Sequence, residues 1–135
     1  MRTRLTGGAD APKGARAFVS RRLREAAALP EDVATDDVVL VTSELVTNSV
    51  NAGATAIELS LEVSAEQVEL VVTDDADGWP APSDPSYDDT TGRGLQIVEH
   101  LTHAWETVRH PGGKAVTARW FGPSVRQQGL EPRTR

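Results

Sequence analysis

Apolar residues first recur at helical spacing. Between Pro12 and about Ala28, Ala15, Phe18, Val19 and Leu23 share a stripe, and Arg21, Arg22 and Arg24 mostly lie off it. Leu29-Pro30 ends this helix, because the residue before a proline is pushed out of helical geometry. A second helix is predicted from about Glu31 to Ala52, with Gly53 as its stop. After Gly53 the period changes to two. Ile57, Leu59, Leu61 and Val63 alternate with Glu58, Ser60 and Glu62, then Val68, Leu70 and Val72 alternate with Glu69 and Val71. Ser64 to Gln67 reads as the turn of that hairpin.

From Asp75 to Thr91 the periodicity stops. This stretch of three prolines, five acids and no base is too polar for a core and predicts a long loop. Gly92-Arg93-Gly94 closes it, and Leu95, Ile97, Val98 and Leu101 resume a helical pattern. Trp105–Arg109 and Ala115–Phe121 form a last hairpin around Pro111-Gly112-Gly113-Lys114. The natural arrangement is α+β: a two-layer sandwich with a mixed sheet covered on one face by helices. Residues 1–10 and 124–135 read as flexible tails around one domain, 11–122.

Composition narrows the chemistry. The 135-residue chain fits one domain, and with no cysteine it excludes disulfides, thiol catalysis and cysteine-held metals. His100, His103 and His110 are too scattered to suggest a metal site. No long apolar run or signal pattern is present, so a cytoplasmic protein without a membrane span is expected. The net charge of −6 argues against direct nucleic-acid binding and suits protein partners or a magnesium–nucleotide complex.

Candidate chemistry begins on the second helix. Glu44, Asn48 and Asn51 stand at i, i+4 and i+7, within about 60° of one another on the helix wheel. Leu45, Val46, Val50, Val38 and Val39 fill much of the remaining surface. A helix apolar nearly all round is normally buried, and a carboxylate and two amides there need partners. One reading is a solvated polar face, which Asp37 on the same stripe supports. The other is a stripe that faces a ligand: amide oxygen suits Mg²⁺, and a carboxylate can take a proton from an attacking hydroxyl.

Asp74 shares the parity of Val68, Leu70 and Val72, so it points to the face the helices cover. It suits either an acceptor for the exocyclic amine of a base or a simple loop cap. Gly78 stands where the backbone needs freedom or close ligand approach. Gly92-Arg93-Gly94, just before a helix, fits a site for anions, with Arg93 a charge partner for phosphate.

The order and spacing of these signals resemble one family. Ser43 to Ala54, SELVTNSVNAGA, resembles the N-box of the GHKL ATPases, which share the Bergerat or histidine-kinase-like ATPase fold. Thr73 to Gly78, TDDADG, looks like the G1 box, and Gly92 to Val98, GRGLQIV, looks like the G2 box after an ATP lid. A standalone domain with a helical lead-in is most similar to the bacterial anti-sigma-factor serine/threonine kinases of partner-switching pathways. The resemblance covers roughly Ala11 to Phe121.

The resemblance implies ATP and Mg²⁺ as cofactors. Glu44 is then the general base for a target hydroxyl, Asn48 holds Mg²⁺, and Asn51 lies near the phosphates or ribose. Asp74 recognises the adenine amino group, and Gly78, Gly92 and Gly94 let lid and helix backbones approach the nucleotide. Ala76, Arg93 and Leu95 complete the implied nucleotide site. The implied partners are a sigma factor and an anti-sigma-factor antagonist, the latter being the phosphorylated substrate. Related proteins are often dimers, so a homodimer is also implied.

The sequence departs from the family pattern in four places. Ala76 replaces the first glycine of the G1 box, and its Cβ tolerates positive φ poorly. Ala52 stands where many partner-switching kinases have histidine. The lid is acidic, and the threonine frequent in the last hairpin has only Thr117 as a substitute after Gly113-Lys114. These departures keep a second expectation open: a binding module that sequesters a sigma factor or other regulator without phosphoryl transfer. A third is an accessory GHKL ATPase unrelated to sigma factors.

Overall fold

The computed structural model describes residues 1–76 and 89–126, with side chains of the second segment from residue 95. Along the chain run β1 (Arg2–Thr6), α1 (Ala11–Glu25), α2 (Thr35–Asn51), β2 (Ala56–Val63), β3 (Gln67–Asp74), α3 (Asp89–Leu101), β4 (Ala104–His110), β5 (Gly113–Phe121) and a turn of helix, α4 (Pro123–Arg126). The strands form one sheet in the order β1-β2-β3-β5-β4.

Strand parity builds the core. Ile57, Leu59 and Leu61 of β2, Val68, Leu70 and Val72 of β3, and Val116, Ala118 and Trp120 of β5 are buried. Register brings them opposite one another, with Leu59 facing Val72, Leu61 facing Leu70 and Val68 facing Trp120. Ala15, Val19 and Leu23 of α1, Val38, Val41, Leu45 and Val46 of α2, and Val98 of α3 join the same core. The α2 helix packs against both α1 and α3 and lies against β3. The two-layer α+β sandwich expected from the periodicities is therefore the observed architecture.

Four details differ from the sequence expectation. The sheet is antiparallel at every pairing rather than mixed. Two hairpins, β2–β3 and β4–β5, account for most of it, and neither joins parallel strands. The first ten residues are not simply a tail, because Arg2–Thr6 pairs with β2 from Arg2 opposite Ser60 to Thr6 opposite Ala56. Leu5 packs against the core, while Arg2 and Arg4 stay exposed, so main-chain pairing rather than apolar burial makes most of this strand. Helix α2 starts at Thr35 rather than near Glu31. Pro30 and the positive φ of Asp32 (71°) keep the preceding segment irregular, and Asp36 and Asp37 then suit the positive end of the helix dipole.

The fourth difference concerns α3, which starts at Asp89 and encloses Gly92, Arg93 and Gly94 instead of following them. Aspartate is a residue type suited to the first turn of a helix, where the dipole favours negative charge. At the other end of α2 the sequence signal holds. Gly53 adopts φ +92°, and the Ala52, Gly53 and Ala54 amides cap the carbonyls of Asn48, Val50 and Ser49.

Candidate nucleotide site

The site is built on the inward end of β3. Asp74 is the last residue of the strand and continues its buried parity, with a side chain only 1% exposed. Its neighbours on the same row are Ile57 of β2 and Lys114 of β5. A carboxylate this deep needs donors, and three are in place. Ala76 N–H donates to Oδ1 at 3.0 Å. Ser49 Oγ–H, from the buried face of α2, donates to Oδ2 at 2.5 Å. The Lys114 ammonium also donates to Oδ2 and forms an ion pair with it.

Lys114 is held where it can do this. Directly before it, Gly113 passes so close to β3 that a Cβ would lie 1.9 Å from the Asp74 carbonyl oxygen. Only glycine lets the two backbones approach this closely, and the next residue then emerges beside the carboxylate. The Lys114 side chain is 12% exposed, so its methylene stem is packed and its charge is matched internally.

The following aspartate has the opposite role. Asp75 points outward and staples β3 to the start of β2. Its Oδ1 accepts from the Thr55 amide at 2.8 Å and the Ala56 amide at 3.1 Å, and its Oδ2 accepts from Thr55 Oγ1 at 2.5 Å. The Thr55 hydroxyl, then the Ala56 and Thr55 amides, lower its pKa from 3.8 to about 2. The departure at Ala76 is also accounted for. Among the described residues Asp32 alone combines a side chain with positive φ, so Ala76 carries no left-handed strain. It is buried and contributes its amide to Asp74.

The polar stripe of α2 lies one helical step round from Ser49. Glu44 and Asn48 are half-buried and Asn51 is exposed at the helix end. None of the three side chains has a hydrogen bond or ion pair among the described residues. Their polar atoms also keep access to solvent, since among the described residues the buried side-chain atoms lacking partners are Arg22 Nε and Trp105 Nε1. An unengaged carboxylate and amide one turn apart at a water-accessible face fit a hard cation and an attacking hydroxyl. The buried acceptor at Asp74 fits the amine edge of a base. Thus the residues present suit a magnesium–nucleotide complex.

Of the other sequence candidates, Leu95 is half-buried on α3. Gly92, Arg93 and Gly94 lie within the first turns of that helix, so the expectation that they precede its N-terminus is corrected. Gly78 lies outside the described residues. Sequence reasoning missed Ser49 and Lys114. Ser49 adjoins the polar stripe but faces the core; Lys114 shares the inward parity of Val116, Ala118 and Trp120, and the β3–β5 register pairs it with Asp74.

His103 has a structural role. Its Nδ1 accepts the Phe121 amide at 2.8 Å, its ring stacks on Phe121, and Arg126 approaches its Nε2. No described helix is long and apolar enough to cross a membrane.

Comparison with known proteins agrees with this fold. The chain resembles the blue-light activated histidine kinase EL346 of Erythrobacter litoralis with a TM-score of 0.53 and 23% identity, over 93% of this chain and 44% of that one. It resembles the Acinetobacter baumannii histidine kinase AdeS with a TM-score of 0.53 and 18% identity, over 91% of this chain and 68% of that one. The catalytic domain of histidine kinase ThkA aligns at 17% identity with a TM-score of 0.52, covering 90% of this chain and 97% of that domain. The chain spans less than half of the light-activated kinase, and identities this low establish the fold alone. No curated protein sequence gives a significant match. Residues 9–120 match the histidine kinase-like ATPase domain family, and the chain belongs to that family.

Proposed function

We propose that this domain binds Mg²⁺–ATP and acts as a regulatory protein serine/threonine kinase toward an anti-sigma-factor antagonist, also holding a sigma factor. The observation that carries the nucleotide reading is Asp74, a buried carboxylate at the inward end of β3 with donors from Ser49, Ala76 and Lys114. In this reading Asp74 accepts a hydrogen bond from the adenine amino group. Asn48 offers its amide oxygen to Mg²⁺, and Asn51 lies toward the phosphates or ribose. Gly92, Arg93, Gly94 and Leu95 bring the α3 backbone to the phosphates.

Bound Mg²⁺–ATP supplies the transferable phosphoryl group and the cation that balances its charge. Glu44 orients the target hydroxyl and accepts its proton as the hydroxyl oxygen bonds to the γ-phosphorus and ADP leaves. Its half-buried, unengaged carboxylate supports that role.

A second reading draws on a specific feature. Asp74 is already satisfied by Ser49, Ala76 and Lys114 without a ligand, as a binding module that has lost its nucleotide requires. Calorimetry of ATP binding with and without Mg²⁺ separates the two. The nucleotide reading expects magnesium-dependent binding, weakened by Asp74→Asn and by Asn48→Ala. Absence of heat at millimolar ATP overturns it in favour of protein recognition alone.

A further inference from the structure

We infer that Lys114 is a base-selecting residue: it places a hydrogen-bond donor beside the Asp74 acceptor, so that the pair reads the 6-amino group and N1 of adenine together. The inference rests on the assignment of Asp74 to the base.

The argument is one of hydrogen-bond capacity. A carboxylate has about four acceptor positions and an ammonium three donor protons. At Asp74 three positions are taken, one on Oδ1 by the Ala76 amide and two on Oδ2 by Ser49 and Lys114. One position on Oδ1 is left for an incoming amine hydrogen. Lys114 spends one proton on Asp74 and retains two. The site therefore offers an acceptor and a donor side by side.

Lys114 does not simply swing away when a ligand arrives. Its stem is packed, and its departure would leave a carboxylate that is 1% exposed without its cation. Breaking a buried ion pair on one side is far costlier than keeping it. The close approach of Gly113 to the Asp74 backbone also fixes the start of the lysine side chain. The ammonium stays at the carboxylate and directs its spare protons at the neighbouring edge atom.

Adenine presents a donor at its 6-amino group and an acceptor at N1, which complements this pair. A 6-oxo purine in the same seat presents the reverse order. Its O6 would face the carboxylate and its N1–H the ammonium, two repulsive contacts where adenine has two attractive ones. Lys114 thus contributes both to adenine affinity and to rejection of guanine.

The test is calorimetry with the magnesium complexes of ATP and of 1-deazaadenosine triphosphate, in which C–H replaces N1. Wild type should bind the deaza analogue about tenfold more weakly than ATP, the size of a lost hydrogen bond to a charged donor. Lys114→Met, which keeps the stem and removes the charge, should lose about tenfold for ATP and no longer distinguish the two ligands. Equal binding of both ligands by wild type overturns the inference, as does discrimination that survives in Lys114→Met. The ligand-side comparison needs no substitution, so it can overturn the inference even if the variant does not fold. Absence of ATP binding to wild type removes the nucleotide reading itself, whereas ATP binding without discrimination removes only the role of Lys114.

Discussion

Ser49 Oγ and Asp74 Oδ2 lie 2.5 Å apart, a contact between two buried residues that ties the middle of the helix layer to the end of the central strand. The hydroxyl fixes which way the carboxylate faces and supplies part of its solvation. Ser49→Ala removes one donor and leaves that oxygen to Lys114 alone. The substitution should destabilise the domain by about 1–2 kcal/mol. It should also weaken ATP binding severalfold through a less well oriented carboxylate. Urea unfolding and calorimetry on the same preparations check both.

Asp75 gives a pH prediction with a definite sign. Its folded pKa is depressed, to about 2 from 3.8, by the Thr55 hydroxyl and then by the Ala56 and Thr55 amides. Its contribution to stability is therefore complete above the unfolded value and is lost as pH falls from about 4 toward 2. The difference in stability between wild type and Asp75→Asn should shrink through that window. In proton–nitrogen spectra the Thr55 and Ala56 amides should titrate with the Asp75 midpoint. A difference that is flat from pH 5 to 2 would contradict the staple.

Gly113→Ala places a methyl group 1.9 Å from the Asp74 carbonyl oxygen. Either β5 or β3 must shift, at a cost of about 2–3 kcal/mol in line with overpacked sites. Because the shift occurs beside Lys114, nucleotide affinity should fall with stability. A melting temperature unchanged within a degree would refute the close approach. Gly112→Ala at φ +84° tests the turn by itself, since no atom lies within reach of its added Cβ.

Glu44→Gln is the test of catalysis. The amide keeps the size of the carboxylate but cannot accept the proton. Phosphoryl transfer to an antagonist partner should drop by about 10²–10⁴-fold while ATP binding stays within about threefold. A Glu44→Gln protein that phosphorylates as fast as wild type would require another base.

Much of this was legible before any coordinates. The period-two runs gave β2 and β3 and the inward face of Asp74, because parity needs only the order of residues. The α2 pattern and its Gly53 stop were legible for the same reason. The N-terminal strand was not, since Arg2–Thr6 carries one buried-side leucine and owes its form to hydrogen bonds with β2. Nor was the start of α3 at Asp89, where three short polar residues read equally well as loop. Within the site, the stripe of Glu44, Asn48 and Asn51 was visible by spacing. Ser49 was hidden because a small hydroxyl fits an apolar helix face without breaking its pattern. Lys114 was hidden because a lysine in a turn sequence looks solvated; its parity with Val116, Ala118 and Trp120 turns it inward, and the cross-strand register sets it beside Asp74.

The adjacent aspartates make the site a matter of counting. Asp74 faces the helices and Asp75 faces away solely because a strand turns one side chain to each face in succession. A slip of one residue between β2 and β3 would exchange them, putting the loop staple in the buried seat and the carboxylate proposed to read the base at the surface. The Ser64–Gln67 turn sits at the far end of the same hairpin, closed by the Ser64 amide on the Gln67 carbonyl at 2.9 Å. An insertion of a single residue within the strand pairing that this turn begins would therefore erase the proposed nucleotide site at a distance, with every one of its residues still present in the chain.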